Sequence, residues 1–252
     1  MSLISPNERN YCLFFDDGGV MSDNSRKGKQ WRDFIVEFFV PRYGGNPTIW
    51  REANRQVVKI WVEKWTQMID KGTNLDYKEY QEYEDKSWIN HMFDAVGVDK
   101  PRQQEYSLIR REFEEWIAPQ IQADIKGIIV VLKRLKTNGY TLYTASGHSS
   151  WVLKGILTGM GVIDYFTNFY GPDIVGVMKG GLEFYKKIFS HAQVHPSYAV
   201  VIDDNPKLLQ YADQLGAYTI QSCVLKGSIP NNKYFYNHPV ELPELIQSIL
   251  SI

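Results

Sequence analysis

Hydrophobic positions divide the chain into three stretches of different period. Cys12-Leu13-Phe14-Phe15 is an unbroken apolar run that ends in Asp16-Asp17-Gly18-Gly19. Four apolar residues bounded by polar punctuation predict a short buried strand. From about residue 22 to residue 120 the apolar positions recur at helical spacing instead. Trp31, Phe34, Ile35, Phe38 and Phe39 predict an amphipathic helix ending near Pro41 and Gly44-Gly45. Asn46-Pro47 is a cap with a first-turn proline, and Ile49, Ala53, Val57, Ile60, Trp61, Val62, Trp65 and Met68 carry the longest helix of the set to Lys71-Gly72. Tyr77, Tyr80, Trp88, Ile89 and Met92 predict a third helix stopping before Gly97, and Tyr106, Ile109, Phe113, Trp116 and Ile117 a fourth. Four helices with short connections make a small bundle. Aromatic stripes at this spacing read as core, and the charged runs 79–86 and 110–115 read as solvated faces with i,i+4 pairs.

Beyond residue 120 helices and strands alternate. Helices are predicted at 125–136, 151–160, 182–192, 205–215 and 245–252, and strands at 140–145, 165–170, 198–202 and 218–224, with 230–239 irregular. Strands separated by single helices predict a parallel sheet with right-handed crossovers. The expected fold class is therefore α/β, with a Rossmann-like parallel sheet core built from residues 1–21 and 121–252. A helical bundle of residues 22–120, inserted after the first strand, would sit over the carboxyl edge of the sheet, where such sheets bind ligands.

Charge and cysteine content narrow the function. The 252 residues carry 28 basic and 29 acidic side chains, so no global field points to nucleic acid or to a membrane surface. A small molecule is the expected partner, and oligomeric state stays open. Cys12 and Cys223 make no disulfide framework, the aliphatic run 128–132 is too short to span a bilayer, and the amino terminus lacks a basic segment followed by a long apolar one. A soluble cytoplasmic protein is expected.

Candidate chemistry gathers at strand ends. Asp16 closes the first apolar run, and the two glycines after it let backbone N–H groups approach an anion. Ala199-Val200-Val201-Ile202-Asp203-Asp204-Asn205-Pro206 repeats that design, and paired carboxylates are hard oxygen ligands of the kind Mg²⁺ takes. A helix cap at Asn205-Pro206 explains those two residues alone, without the acidic pair. Ser146-Gly147 follows the strand at 140–145, with Thr144 as the alternative register, and Lys179 precedes a helix in Met178-Lys179-Gly180-Gly181-Leu182.

In this order, the four stretches resemble the motifs of the haloacid dehalogenase (HAD) superfamily of phosphohydrolases, with a helical cap inserted between the first two. The resemblance implies that Asp16 is the nucleophile, forming an aspartyl phosphate, and that Gly19 and Val20 complete the first motif. It implies phosphate contacts from Asp17, Gly18, Ser146, Gly147 and Lys179. Mg²⁺ would lie among Asp16, Asp203, Asp204 and the main-chain carbonyl of Gly18, with Asp204 the fourth-motif ligand. Two positions depart from the pattern: Gly18 stands where most members carry a general acid/base Asp, and a later Asp of some members is Leu208 here. The implied activity is Mg²⁺-dependent hydrolysis of a small phosphorylated metabolite, such as a sugar 1-phosphate with a good leaving group, with Asp17 or a cap residue as substitute acid. Some family phosphatases carry glycine at this position. A non-hydrolytic protein that binds a phosphorylated ligand or a protein partner is the alternative. A dehalogenase or phosphonatase relative is a third reading, with Lys27 or Lys29 as the cap lysine. Arg32 and His148 are candidate specificity residues.

Overall fold

The computed structural model describes residues 11–250. Its sheet has the order β3-β2-β1-β4-β5-β6, with β1 Cys12–Phe15, β2 Thr141–Ala145, β3 Phe166–Tyr170, β4 Ala199–Asp203, β5 Tyr218–Ser222 and β6 Phe235–Tyr236. Every neighbouring pair is parallel. Between β1 and β2 come α1 Asn24–Tyr43, α2 Pro47–Lys71, α3 Tyr77–Val96, α4 Tyr106–Ile117 and α5 Ile128–Thr137. After β2 follow α6 Ser150–Gly159, α7 Pro172–Val175, α8 Leu182–Ala192, α9 Pro206–Asp213 and α10 Leu242–Leu250.

Both faces of the sheet are covered, which is why β1 and β4 read as continuous apolar runs. Leu13, Phe15, Val200 and Ile202 pack with α5 and α10 through Leu132, Leu135 and Ile246. Cys12, Phe14, Ala199 and Val201 face the other way, against Phe184 and Ile188 of α8 and Leu208 of α9. Cys12 and Cys223 are buried free thiols. Among the described residues no helix is long and apolar enough to cross a membrane.

Helices α1 to α4 have a core of their own around Phe39, Trp50, Trp88, Phe93 and Phe113. Asn46 Oδ1 accepts from Thr48 N at 2.8 Å to start α2, and Gly72 ends it with φ 63°. Two segments tie this bundle to the sheet. Asp23 N donates to Ala123 O and Ile125 N to Met21 O, both at 2.8 Å, so residues 21–23 and 123–125 run as an antiparallel pair.

Helix α1 begins at Asn24, capped by Asp23, and ends at Tyr43 before Gly44, as expected, with Pro41 near its end costing only one intrahelical N–H. Other expectations need correction. Ile60 and Val62, expected in the apolar stripe of α2, are 41% and 54% exposed. Conversely, the charged runs are not simply solvated, because Glu84, Asp85 and Glu114 are only 5%, 2% and 7% exposed. Arg110 is one cause, its guanidinium lying 4.4 Å from the Trp61 ring centre and 4.9 Å from that of Trp88, while Gln81 Nε2 donates to Asp85 Oδ1 at 2.7 Å. Arg110 Nε donates to Glu114 Oε1 at 2.7 Å. A mostly covered cation over two rings favours carboxylates beside it. The segment 230–239 contains the two residues of β6, and α10 starts at Leu242; residues 251–252 of the expected last helix lie outside the described residues.

Candidate active site

The ladder between β1 and β4 continues one residue past β1, where Asp16 N donates to Ile202 O at 2.9 Å. That register sets Asp16 beside the end of β4. Asp16, Asp203 and Asp204 each present a carboxylate oxygen, all within 4.8 Å of one another. Lys179 Nζ, fully buried, lies 2.9 Å from Asp16 Oδ1 and 2.6 Å from Asp203 Oδ2. Asp203 is further held by Asn205 N, which donates to its Oδ1 at 2.9 Å, and by the Tyr185 hydroxyl.

With all three ionised, the carboxylates face one ammonium and leave two negative charges in surplus in a largely buried site. Burial first, then the charges of Asp203 and Asp16, push the Asp204 carboxyl up; burial and Asp16 likewise push Asp203 up, with Lys179 opposing. Burial disfavours the charged form of Lys179, but Asp16 and Asp203 more than offset it and hold the side chain protonated. Hard oxygen donors with two uncompensated charges fit a divalent cation such as Mg²⁺. The loop after β1 fits as well: Asp17 O accepts from Met21 N and Ser22 N, Ser22 O from Gly19 N and Gly19 O from Ser222 Oγ, which leaves the carbonyl of Gly18 unused. Gly19 has φ 73°, and a Cβ there would meet Asp204 Oδ2 at 2.3 Å, so only glycine fits this close approach.

Asp17, one of the predicted site residues, does not turn its side chain toward Asp16's partners. Its fully buried carboxylate accepts from Ser22 Oγ at 2.6 Å and from Lys27 Nζ at 2.5 Å. Burial alone would raise this carboxyl, but the charges of Lys27 and His148 and the two hydrogen bonds outweigh it and hold it below its ordinary range. Asp17 is therefore a committed carboxylate, which corrects the expectation that it could serve as the substitute acid.

On the opposite side of β1, Ser146 lies one residue past β2, with its N donating to Tyr170 O at 3.1 Å. Its hydroxyl accepts from His148 N at 3.4 Å. Thr144, the alternative register, sits inside β2 with its hydroxyl bonded to Tyr170 O at 3.2 Å. Gly147 lies beneath the ring of Trp65, which a Cβ at that glycine would meet at 3.2 Å. The same indole donates to Lys179 O at 3.1 Å. Trp65 therefore links the loops that carry Ser146 and Lys179. Around it the bundle is seated on the sheet edge by Met178 N to Leu75 O at 2.9 Å and Tyr77 N to Gly176 O at 3.1 Å.

His148 and Lys27 meet at this junction, Lys27 Nζ to His148 Nε2 at 3.2 Å. Lys29 is exposed on α1, and Arg32 joins none of these bonds. Sequence spacing alone missed Trp65, which it counted as bundle core, and the pairing of Lys27 with Asp17. The one available signal was a lysine at the start of the helix that follows the first motif.

A family model described as haloacid dehalogenase-like hydrolase matches residues 53–221, well over half of the chain. The match includes Ser146, Lys179, Asp203 and Asp204 and begins after Asp16. No curated protein matches the sequence. Among solved structures, the HAD hydrolase YfnB from Bacillus subtilis, bound to magnesium in a structure that reveals interdomain movement, is 16% identical with a TM-score of 0.65, over 97% of this chain and 100% of that one. L-2-haloacid dehalogenase from Xanthobacter autotrophicus is 12% identical at a TM-score of 0.63, over 95% and 99% of the two chains. CbbY from Rhodobacter sphaeroides, in complex with phosphate, is 16% identical at a TM-score of 0.59, over 92% and 96%. At these identities the likeness is one of fold.

Proposed function

We propose, for a chain that belongs to the haloacid dehalogenase-like hydrolases, a Mg²⁺-dependent phosphohydrolase that cleaves a phosphate monoester of a small metabolite through an aspartyl phosphate on Asp16. The observation that carries this reading is the surplus of buried negative charge where Asp16, Asp203 and Asp204 converge on Lys179. Asp16, Asp204 and the carbonyl of Gly18 would hold Mg²⁺, with Asp203 behind them. Once bound, the ion would neutralise charge on the nucleophile and on the phosphate oxygens. Ser146 Oγ and the backbone N–H groups of Gly147 and of the Asp17-Gly18 turn are donors for the remaining phosphate oxygens. Lys179 fixes Asp16 through Oδ1, which leaves Oδ2 to attack phosphorus. Water then cleaves the acyl phosphate and regenerates the carboxylate.

In the same reading, residues 22–120 form a cap hinged at 21–23 and 123–125, and the core is 1–21 with 121–252. The supporting solved structures are a magnesium-bound hydrolase that shows interdomain movement and a relative in complex with phosphate. A metal-free dehalogenase leaves the two surplus charges unanswered. A protein that binds a phosphorylated ligand without turnover is the second reading, favoured by the absence of a carboxylate at Gly18. The test is phosphate release from a panel of esters, with Mg²⁺ and with EDTA, in the wild type and in Asp16→Asn. Mg²⁺-dependent release that needs Asp16 supports the phosphatase, and no release from any ester supports the binding protein.

A further inference from the structure

Resting on the phosphatase reading, we infer that Lys27 is the proton donor to the leaving group, in place of a carboxylate at position 18. Lys27 projects from the first turn of α1 and is 8% exposed. Its ammonium has three donors and no acceptor. One N–H goes to Asp17 Oδ2 at 2.5 Å. Another goes to His148 Nε2 at 3.2 Å, which makes that nitrogen the acceptor and places the ring proton on Nδ1. The third has no partner among the described residues. His148 follows Ser146 by two positions and keeps 40% of its side chain exposed, so Lys27 joins the loop after β1 to the partly open loop after β2. Two ammonium groups thus hold neighbouring carboxylates at the end of β1, Lys179 that of Asp16 and Lys27 that of Asp17. Lys179, on the β4 side, is gripped by two carboxylates, whereas Lys27, on the β2 side and borne by the bundle, donates to one carboxylate and one imidazole.

Neighbouring groups are poorer donors. Asp17 is an ionised acceptor. His148 Nε2 accepts from Lys27 and so has no proton to offer on that side. Asn24, whose amide occupies the space a side chain at Gly18 would take, carries no acidic proton. Glu114 accepts from Arg110 and from Trp151 Nε1. The step balances. As the P–O bond breaks, its electron pair stays on the leaving oxygen, which takes a proton from Nζ. The neutral amine then takes a proton from the water that attacks the aspartyl phosphate, so one water is consumed, alcohol and phosphate leave, and Lys27 is an ammonium again.

Two variants separate proton donation from fixed charge. Lys27→Arg keeps the positive charge and a partner for Asp17, but a guanidinium does not release its proton in proteins. Lys27→Met combined with Asp17→Asn removes both charges, so no carboxylate is left buried alone, and it serves if the arginine does not fit. For each, kcat/KM is measured over phosphate esters of rising leaving-group pKa, with Asp16→Asn as the blank. In both variants the ratio of alkyl to aryl rates should fall by about 10²-fold, the lower end of what general acid catalysis contributes. A folded Lys27→Arg with the wild-type ratio overturns the assignment while leaving Asp16-dependent hydrolysis, and the phosphatase reading, intact. A wild type inert toward every ester overturns both.

Discussion

Placing a carboxylate at position 18 should raise hydrolysis of alkyl phosphates by about 10-fold to 10²-fold and that of aryl phosphates much less, because only a poor leaving group needs a proton in the transition state. The structure says the substitution will be tolerated. Gly18 is not among the residues with positive φ, so a side chain there adds no backbone strain. Its Cβ would meet Asn24 Oδ1 at 2.6 Å and Nδ2 at 3.0 Å, the tip of an exposed side chain that can turn aside. Surface rearrangements of this size cost up to about 0.5 kcal/mol, or some 1–2 °C in melting temperature for a chain of this length. Gly19 next to it is the control position, since a Cβ there would meet Asp204 Oδ2 at 2.3 Å with φ already at 73°. The expected gain stays at the low end of the acid-catalysis range because Lys27 already donates, and it should grow in the Lys27→Arg background. The assay is kcat/KM for one alkyl and one aryl phosphate in Gly18→Asp and in wild type, with melting curves for both. A folded Gly18→Asp with unchanged alkyl turnover, alone and with Lys27→Arg, refutes the reasoning that position 18 faces the leaving group and lacks only its acid.

Other perturbations test other parts of the account. Mg²⁺ should raise the melting temperature, by about 2.7 kcal/mol of stability at 100 times its Kd, and Asp204→Asn should abolish the shift. Trp65→Ala removes the indole that spans Gly147 and Lys179, so KM should change more than the stability of the sheet core; unchanged kinetics would show that this ring does not border the substrate. Glu84, pushed up to about 6 chiefly by burial, destabilises the fold when ionised, by up to about 2 kcal/mol for a shift of this size. That stability is present below pH about 4.5 and is lost as pH rises through about 6. Glu84→Gln should therefore melt higher than wild type at pH 8 and lose that advantage at pH 4, and parallel curves would contradict the sign.

Much of the fold was legible because its signals are local. Cys12–Phe15 and Ala199–Asp203 are buried on both faces, so they read as apolar runs without any knowledge of what covers them. Asn46-Pro47 and Gly72 bound α2 within a residue, because capping is chemistry of the chain's own backbone. Asp16, Asp203, Asp204, Lys179 and Ser146 were legible as candidates for the same reason, each at the end of a strand or the start of a helix. Features made by pairing across the fold were not. Glu84 and Asp85 look like a solvated face until α4 brings Arg110 over the Trp61 and Trp88 rings beside them. Lys27 and His148 lie 121 positions apart and meet only because the bundle is seated on the sheet edge. A two-residue strand such as β6 offers no period at all.

The central claim is that Asp16 becomes covalently phosphorylated. The protein is mixed with Mg²⁺ and an aryl phosphate, quenched in acid during turnover, digested and weighed peptide by peptide. The account predicts one added phosphoryl group on the peptide that contains Asp16, absent in Asp16→Asn and absent with EDTA. Phosphate release by Asp16→Asn at the wild-type rate, or steady turnover with a phosphoryl group on another residue, would contradict it.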